Sequence, residues 1–327
     1  MYKNILFSVL VLLMIFSVSC EKDTNEIVTT PFDHDAQLII DRDSINNYLN
    51  THYYNTNDGR LWSVGFVGGD ALPIEDQVPL NEDPKLDSIE GIKANGTLET
   101  YTMYYYIEEE GVDNGNIGFS SPSTVDSVFV KYSGMLLDST VFDSREDYPV
   151  WFQLPNTIEG WGRGLPQFTR GTFETTEDED FNFINPGRGY IIFPSGLGYM
   201  NGAVGGLPYT SNSCLIFRIE LDDVNLIDTD LDGVPTKFEI SFDAAGNITT
   251  YNTDGDNKDD FEDVDDDNDF VTTRDEVMNE FVTIGNPLDA RGNIDFPYFI
   301  DPDTGETGKV ILGMTSPIPN YKDFNKN

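Results

Sequence analysis

The stretch "VFVKYSGMLLDSTVFDS", residues 128–144, alternates apolar and polar side chains on both sides of a turn, which predicts a β-hairpin. Tyr132 lies near one end, and the pair Phe142-Asp143 lies on the far side. A carboxylate beside a Phe that belongs in a core needs a partner or a purpose. Two arrangements satisfy it. One is a plain sheet corner with Asp143 bonded to a nearby tyrosine, Tyr132 being the candidate. The other is two walls of a pocket.

Outward from the hairpin, the pattern stays mostly β from Leu98 to about residue 225. "LETYTMYYYIEEE" is an aromatic-rich strand, and "YPVWFQLPN" is another. "TIEGWGRGLPQF" runs from a strand end into one short helix. "GRGYIIFPSGLGYMNG" is a strand followed by a Gly-rich loop, and "SNSCLIFRIEL" closes the sheet. The expectation is an α+β unit over 98–225, with an antiparallel sheet of about five strands wrapped on one short helix. Residues 172–187, "TFETTEDEDFNFINPG", look like an acidic insertion.

The blocks "VKYSGMLLDSTVFDS", "IEGWGRGL", "FPSGLGYMNG" and "LIFRIEL", in that order and spacing, resemble the FKBP-type peptidyl-prolyl isomerases. The resemblance covers about 125 residues, and the joint match is specific where each piece alone is weak. It implies an isomerase acting on proline-containing polypeptides with no catalytic cofactor. It implies that Trp161 is a pocket floor, that Tyr132 and Phe142 are walls, and that Phe217 is the inner wall. Ile158 would contact substrate through its backbone amide, and Tyr199 through its hydroxyl. Asp143 would lie beside the twisting amide. Val150 and Phe152 would line the substrate side, and Leu207-Pro208 loosely matches the flap loop. Val150 stands where the family often has an aromatic, Thr157 replaces a usual Val, and the loop 202–214 is longer by about two residues. These departures point to altered activity, and to an alternative: a catalytically weak fold of this type used for binding or assembly. Each aromatic alone reads as core. Trp161 and Tyr199 resist that because glycines flank them and admit close approach.

The chain opens with "MYKNILFSVLVLLMIFSVSC": one Lys, an apolar run too short for a comfortable membrane span, then small residues before Cys20. "SVSC" resembles a bacterial lipobox, which makes 1–20 a lipoprotein signal peptide and Cys20 the lipid attachment point, as in lipoproteins of Bacteroidota type. The implied location is the cell envelope, on the outer membrane, at its periplasmic face or the cell surface. The second cysteine, Cys214, sits in an apolar strand and reads as a buried structural thiol. Residues 21–97 form a tether and helical region. Leu38, Ile45, Leu49 and His52 share one helical face, and 56–95 reads as loop with short strands. With two histidines and one thiol, triads and zinc sites are poorly supplied.

The net charge of -39 excludes nucleic acid and charge-driven adhesion to anionic lipid. Much of it gathers in 226–280, where ten acidic side chains fall within the sixteen residues 254–269. "DTDLDGVPTKFE" (228–239) fits the D-x-D-x-D-G-x5-E calcium loop. Asp228, Asp230, Asp232, the Val234 carbonyl, the Thr236 hydroxyl or a water, and Glu239 are its candidate ligands. "DDDNDFVTTRDE" (265–276) repeats the plan with Asp265, Asp267, Asp269, Val271, Thr273 and Glu276, but has Phe270 where Gly is expected. Between them "NTDGDNKDDFED" resembles a thrombospondin type 3 repeat, with Asn252, Asp254, Asp256, Asp260 and Asp263 as candidates. The expected cofactor is structural Ca2+; the alternative is a solvated acidic linker. Residues 281–327 form a Pro/Gly/Asp-rich tail without a legible pattern.

Overall fold

The computed structural model describes residues 32–92, 100–112, 120–175, 181–200, 211–232, 234–242 and 248–275. Cys20, Leu207, Glu276 and the tail 281–327 lie outside them.

Six strands form one antiparallel sheet: β3 (Leu86–Ile92), β4 (Tyr101–Glu109), β5 (Ser127–Leu136), β6 (Val141–Gln153), β9 (Gly187–Phe193) and β10 (Leu215–Asn225). Their order is β3-β4-β9-β10-β5-β6. The opening hairpin is β5 and β6, with Gly134 facing Asp143 and Tyr132 facing Arg145. "VFDS" and "YPVWFQ" belong to one strand rather than two. The register jumps from Tyr132–Arg145 to Val130–Val150, so residues 146–149 bulge away and carry Pro149 where no ladder N–H is required. Helix α2 (Glu159–Gly164) is the expected short helix.

The sixth strand, β3, comes from the segment read as mostly loop. It pairs with β4, so the boundary expected at 97/98 runs between two paired strands. Ahead of it, α1 (His34–Thr51) leads into a hairpin of β1 (His52–Asn55) and β2 (Arg60–Ser63). His52 is a correction: it begins β1 rather than ending the helical face. Its ring stacks on Tyr48 at 3.8 Å. Tyr48 and Leu49, not His52, complete the buried stripe begun by Leu38, Asp41 and Ile45. The acidic insertion contributes a small hairpin of β7 (Thr172–Thr175) and β8 (Phe181–Ile184).

The two faces of the sheet bury separate cores. Leu215, Phe217, Ile219 and Leu221 of β10 point to one, with Ile191, Phe193, Met103, Val130 and Trp161. Ile216 points to the other, with Tyr190, Ile192 and Tyr106, against Ile45, Tyr48 and Leu49 of α1. Burial on both faces is why "YIIF" and "CLIF" read as unbroken apolar runs. Cys214 is buried and free, and burial pushes its thiol far up, as expected of an inert core cysteine. No helix among the described residues is long and apolar enough to cross a membrane.

After β10 the chain turns at Leu226 into three acidic loops and a small hairpin of β11 (Ile240–Phe242) and β12 (Ile248–Thr250). Buried Asp126 fixes the joint. It accepts hydrogen bonds from Ser123 N (2.7 Å) and Oγ (2.7 Å), and from Ile227 N at 3.2 Å.

Candidate functional site

Strands β5, β6 and β10 and helix α2 bring the predicted aromatics together. Trp161 enters through the first turn of α2, and three rings meet it edge-on: Tyr132 at 5.1 Å, Phe152 at 5.2 Å and Phe217 at 5.3 Å. Phe142 crosses Phe217 at 5.6 Å and Tyr199 at 6.4 Å. Edge-to-face rings at these separations attract beyond the area they bury. Trp161 and Phe217 are only 4% and 3% exposed, so the floor is dry. The indole Nε1 of Trp161 is buried and has no hydrogen-bond partner among the described residues. Phe152, Val150, Ile158 and Tyr199 are partly buried against the same cluster.

At the rim, Tyr132 donates its hydroxyl to Asp143 Oδ2 at 2.8 Å. This is the tyrosine bond expected of a sheet corner, and it stands at the edge of the aromatic cluster. Burial, then the bond to Asp143, push the Tyr132 phenol well above its ordinary range, so it stays a donor. Asp143 itself is exposed, one position along β6 from buried Phe142. The alternation of a strand resolves the awkward pair: Phe142 faces in and Asp143 does not.

Two glycines make the cluster possible. A Cβ on Gly134 would lie 2.6 Å from the Phe217 ring and 2.9 Å from that of Phe142. A Cβ on Gly160, beside Trp161, would lie 2.6 Å from the Phe193 ring, which stacks on Phe217. Gly134 and Phe193 were not among the predicted site residues; a Gly inside the strand was the available signal for the first. A cavity of about 460 Å³ lies elsewhere, between α1 and β4, lined by residues such as Leu38, Arg42 and Tyr101.

The acidic loops share one backbone plan. In each, the N–H of the second residue donates to the ninth side chain. These bonds are Thr229 to Thr236 Oγ1 (3.1 Å), Thr253 to Asp260 Oδ1 (2.7 Å) and Asp266 to Thr273 Oγ1 (3.1 Å). The ninth N–H returns to the carbonyl just before the loop: Thr236 to Ile227, Asp260 to Tyr251 and Thr273 to Val264. The fourth residue is left-handed each time, with φ 66° at Leu231, 76° at Gly255 and 53° at Asn268. Phe270 does not spoil its turn; it takes φ 75° with its ring 93% exposed.

The plan gathers carboxylate oxygens within 4.8 Å of one another in four groups: Asp228-Asp230-Asp232, Asp254-Asp256-Asp263, Asp265-Asp267-Asp269 and Asp232-Glu239-Asp266. The groups depart from the loop template in two places. Asp260 stands outside these groups; its oxygens receive Thr253 N and, at 2.9 Å, Thr253 Oγ1. The ninth position, including Thr236 and Thr273, thus satisfies the loop's own amide. Glu239 groups with Asp232 and with Asp266 of the third loop, a residue the loop template leaves out because it sits at the second position. Asn252 donates to Asp256 O at 3.2 Å. The N–H groups of Val234 and Val271 donate to Asp232 and Asp269 at 2.7 and 2.8 Å.

Asp267 is 2% exposed, and its carboxylate lies among those of Asp265 and Asp269. Burial, then Asp269 and Asp265, push its carboxyl up. Burial, with Asp228 adding, pushes Asp230 up to about 6. Buried carboxylates in this state need a cation or a proton. The oxygen-only donor set fits a hard divalent ion such as Ca2+.

The structure thus sets an aromatic cluster on an antiparallel sheet beside one short helix. The comparisons name the family. A profile of the FKBP-type peptidyl-prolyl cis-trans isomerases matches residues 119–222. FK506-binding protein 1A of Aspergillus fumigatus is 33% identical over 113 residues, 33% of this chain and 86% of that protein. The chain belongs to the FKBP-type peptidyl-prolyl cis-trans isomerase family. Outer membrane protein MIP of Legionella longbeachae is 36% identical over 107 residues, 32% of this chain and 39% of that one. FkpA of Escherichia coli K12, an FKBP-type isomerase, is 29% identical over 136 residues, 41% of this chain and 40% of that one. The chain thus spans about two fifths of the length of the first curated relatives it matches. The crystal structure of Escherichia coli FkpA overlays with a TM-score of 0.30, covering 41% of this chain and 52% of that one at 28% identity.

Proposed function

We propose that residues 98–225 bind Xaa-Pro segments of exported polypeptides, catalyse their cis–trans isomerisation, and so assist their folding. The observation that carries this is the convergence of Tyr132, Phe142, Phe152 and Phe217 around Trp161, with the Tyr132–Asp143 bond at the rim. Turning an Xaa-Pro bond faces a barrier of about 18–20 kcal/mol, yet no bond breaks, so neither nucleophile nor metal is required. A twisted amide loses resonance and polarity at its oxygen, so leaving water costs it less than it costs the planar form. A dry aromatic floor therefore favours the twisted state over the ground state.

In this reading Trp161 is the floor under the prolyl ring, and Tyr132, Phe142 and Phe217 are its walls. Val150, Phe152, Ile158 and Leu207 bind the flanking chain. Tyr199 donates to a substrate carbonyl, and Asp143, oriented by Tyr132, biases the amide electrostatically. Proline-limited refolding tests it. The wild-type protein is expected to accelerate the slow phase, and Asp143→Ala and Trp161→Ala each to lose about tenfold or more. A wild-type protein that leaves the rate unchanged overturns it. The near-complete burial of the rings, with Val150 at a position the family often fills with an aromatic, favours a second reading: a catalytically weak binding or assembly module. Binding of proline peptides without acceleration would select that one.

The acidic module is proposed to hold Ca2+ structurally, through Asp228, Asp230 and Asp232, through Asp254, Asp256 and Asp263, and through Asp265, Asp267 and Asp269. Its support is buried Asp267, set among the carboxylates of Asp265 and Asp269, and the backbone plan shared by three loops. Such loops in extracellular modules bind at about 10⁻⁴–10⁻³ M. Cys20 is proposed as a lipid anchor to the outer membrane, on the strength of "SVSC" and the short apolar run before it.

A further inference from the structure

The loop that carries Tyr199 is held from outside the aromatic site. It leaves β9 through a short 3-10 turn, Ser195–Leu197. Asp41, on α1 and only 2% exposed, accepts both the Ser195 N–H at 2.9 Å and the Ser195 hydroxyl at 2.6 Å. Ser195 is itself buried, and its carbonyl receives Gly198 N and Met200 N, each at 2.9 Å, on the two sides of Tyr199. Met200 O in turn receives Asn212 N at 2.5 Å. Gln37, one turn before Asp41 on α1, donates to Asp41 Oδ1 at 2.7 Å and to Asn212 O at 3.5 Å. His34 Nδ1 meets Met200 Sδ at 3.0 Å, and Cys214 Sγ approaches the Asp41 carbonyl at 3.7 Å. One face of a single helix thus grips Ser195, Met200, Asn212 and Cys214, on both sides of the 201–210 segment.

We propose that α1 is a positioning element for the substrate site, and that Asp41 is its positioning residue, fixing Tyr199 through Ser195. This rests on the isomerase reading above, in which Tyr199 contacts substrate. A carboxylate accepting a backbone N–H and a hydroxyl is a charge-assisted pair held rigidly in a dry place. The N–H of Ser195 otherwise has no water to turn to. Losing the acceptor frees the turn, and Tyr199 is four residues along it. The hydrogen bonds of Asp41 go to Gln37, Ser195 and Cys214, none of them a ring of the aromatic floor on β5, β6, β10 and α2, which should stand.

Amide exchange tests the clamp without any use of activity. In Asp41→Ala the Ser195–Met200 amides are expected to exchange at least about tenfold faster, while those of α2 and β5 keep their protection. Ser195→Ala removes only the hydroxyl bond, so it should give a smaller increase and remain folded; Ser195→Thr should restore wild-type exchange. Unchanged exchange at 195–200 in both Asp41→Ala and Ser195→Ala overturns the proposal, as does an increase spread evenly over α2 and β5. Peptide kinetics then test the link to substrate. Asp41→Ala should raise KM about tenfold with kcat within about twofold, and should add little in a Tyr199→Phe background. A full additional loss in that background overturns it. If the wild-type protein has no isomerase activity, the exchange result still decides the clamp, and only the isomerase reading fails.

Discussion

The aromatic site ends at Phe217 and the acidic module begins at Asp228, yet the two are built on opposite principles. Around Trp161 the rings bury one another, and attraction between them needs no ligand. Around Asp267 the side chains repel one another, and burial worsens the repulsion. The first region is finished by its own packing, whereas the second is unfinished without something positive. The contrast shows where preorganisation comes from. A dry site is fixed by shape, and an acidic loop by the backbone bonds that hold its like charges together.

The sharpest way to break the contrast is to deny the rings their space. Gly134→Ala places a methyl 2.6 Å from the Phe217 ring and 2.9 Å from that of Phe142, and both rings are buried. It should cost about 2–3 kcal/mol in chemical denaturation and abolish acceleration of refolding. Retention of both would show that the cluster is looser than its burial indicates. A smaller effect belongs to the acidic module. Chelation of a sample kept at ~5 mM Ca2+ should remove about 1–2 kcal/mol of stability per occupied loop. Refolding activity, measured below the unfolding range, should stay unchanged. Calorimetry showing no calcium-dependent heat or shift would leave the acidic segment a solvated linker. The smallest change is Leu231→Gly. Leu231 holds φ 66° with its side chain 72% exposed, so the substitution should relieve strain and raise stability by ~1 kcal/mol at most. A loss instead would mean that the Leu231 side chain has a packing role.

Legibility followed the same division. The alternation of the hairpin, the apolar runs of β9 and β10, the aromatic-rich β4 and the glycine-flanked short helix were readable. Strand β3 was not, because "LDSIEGI" is an edge with half-buried positions and Gly91 at φ 77°, which blurs alternation. His52 looked helical because it follows Leu49 by three residues. Only the structure shows its ring stacking back from the first residue of a strand. In the loops, spacing marked positions one, three and five as candidates, and the structure gathers all three carboxylates in the first and third loops. Spacing could not reveal that position nine turns to the backbone, nor that Asp266 reaches across to Asp232 and Glu239. Long-range partnership leaves no local trace, and Asp41 with Ser195, 154 residues apart, is the plainest example.

Strand β10 lies between β9 and β5, at the centre of the sheet, yet it is the last of the six to be made. Helix α1 is the first described element to be made, and its apolar stripe rests on residues of β9 and β10. A chain emerging N-terminus first must therefore carry α1, β4 and the aromatic strands uncovered until residue 225 is free. That is a topology of high contact order, slow to close and exposed to aggregation while it waits. A nascent chain stopped short of Leu215 would lack a central strand whose residues enter both cores.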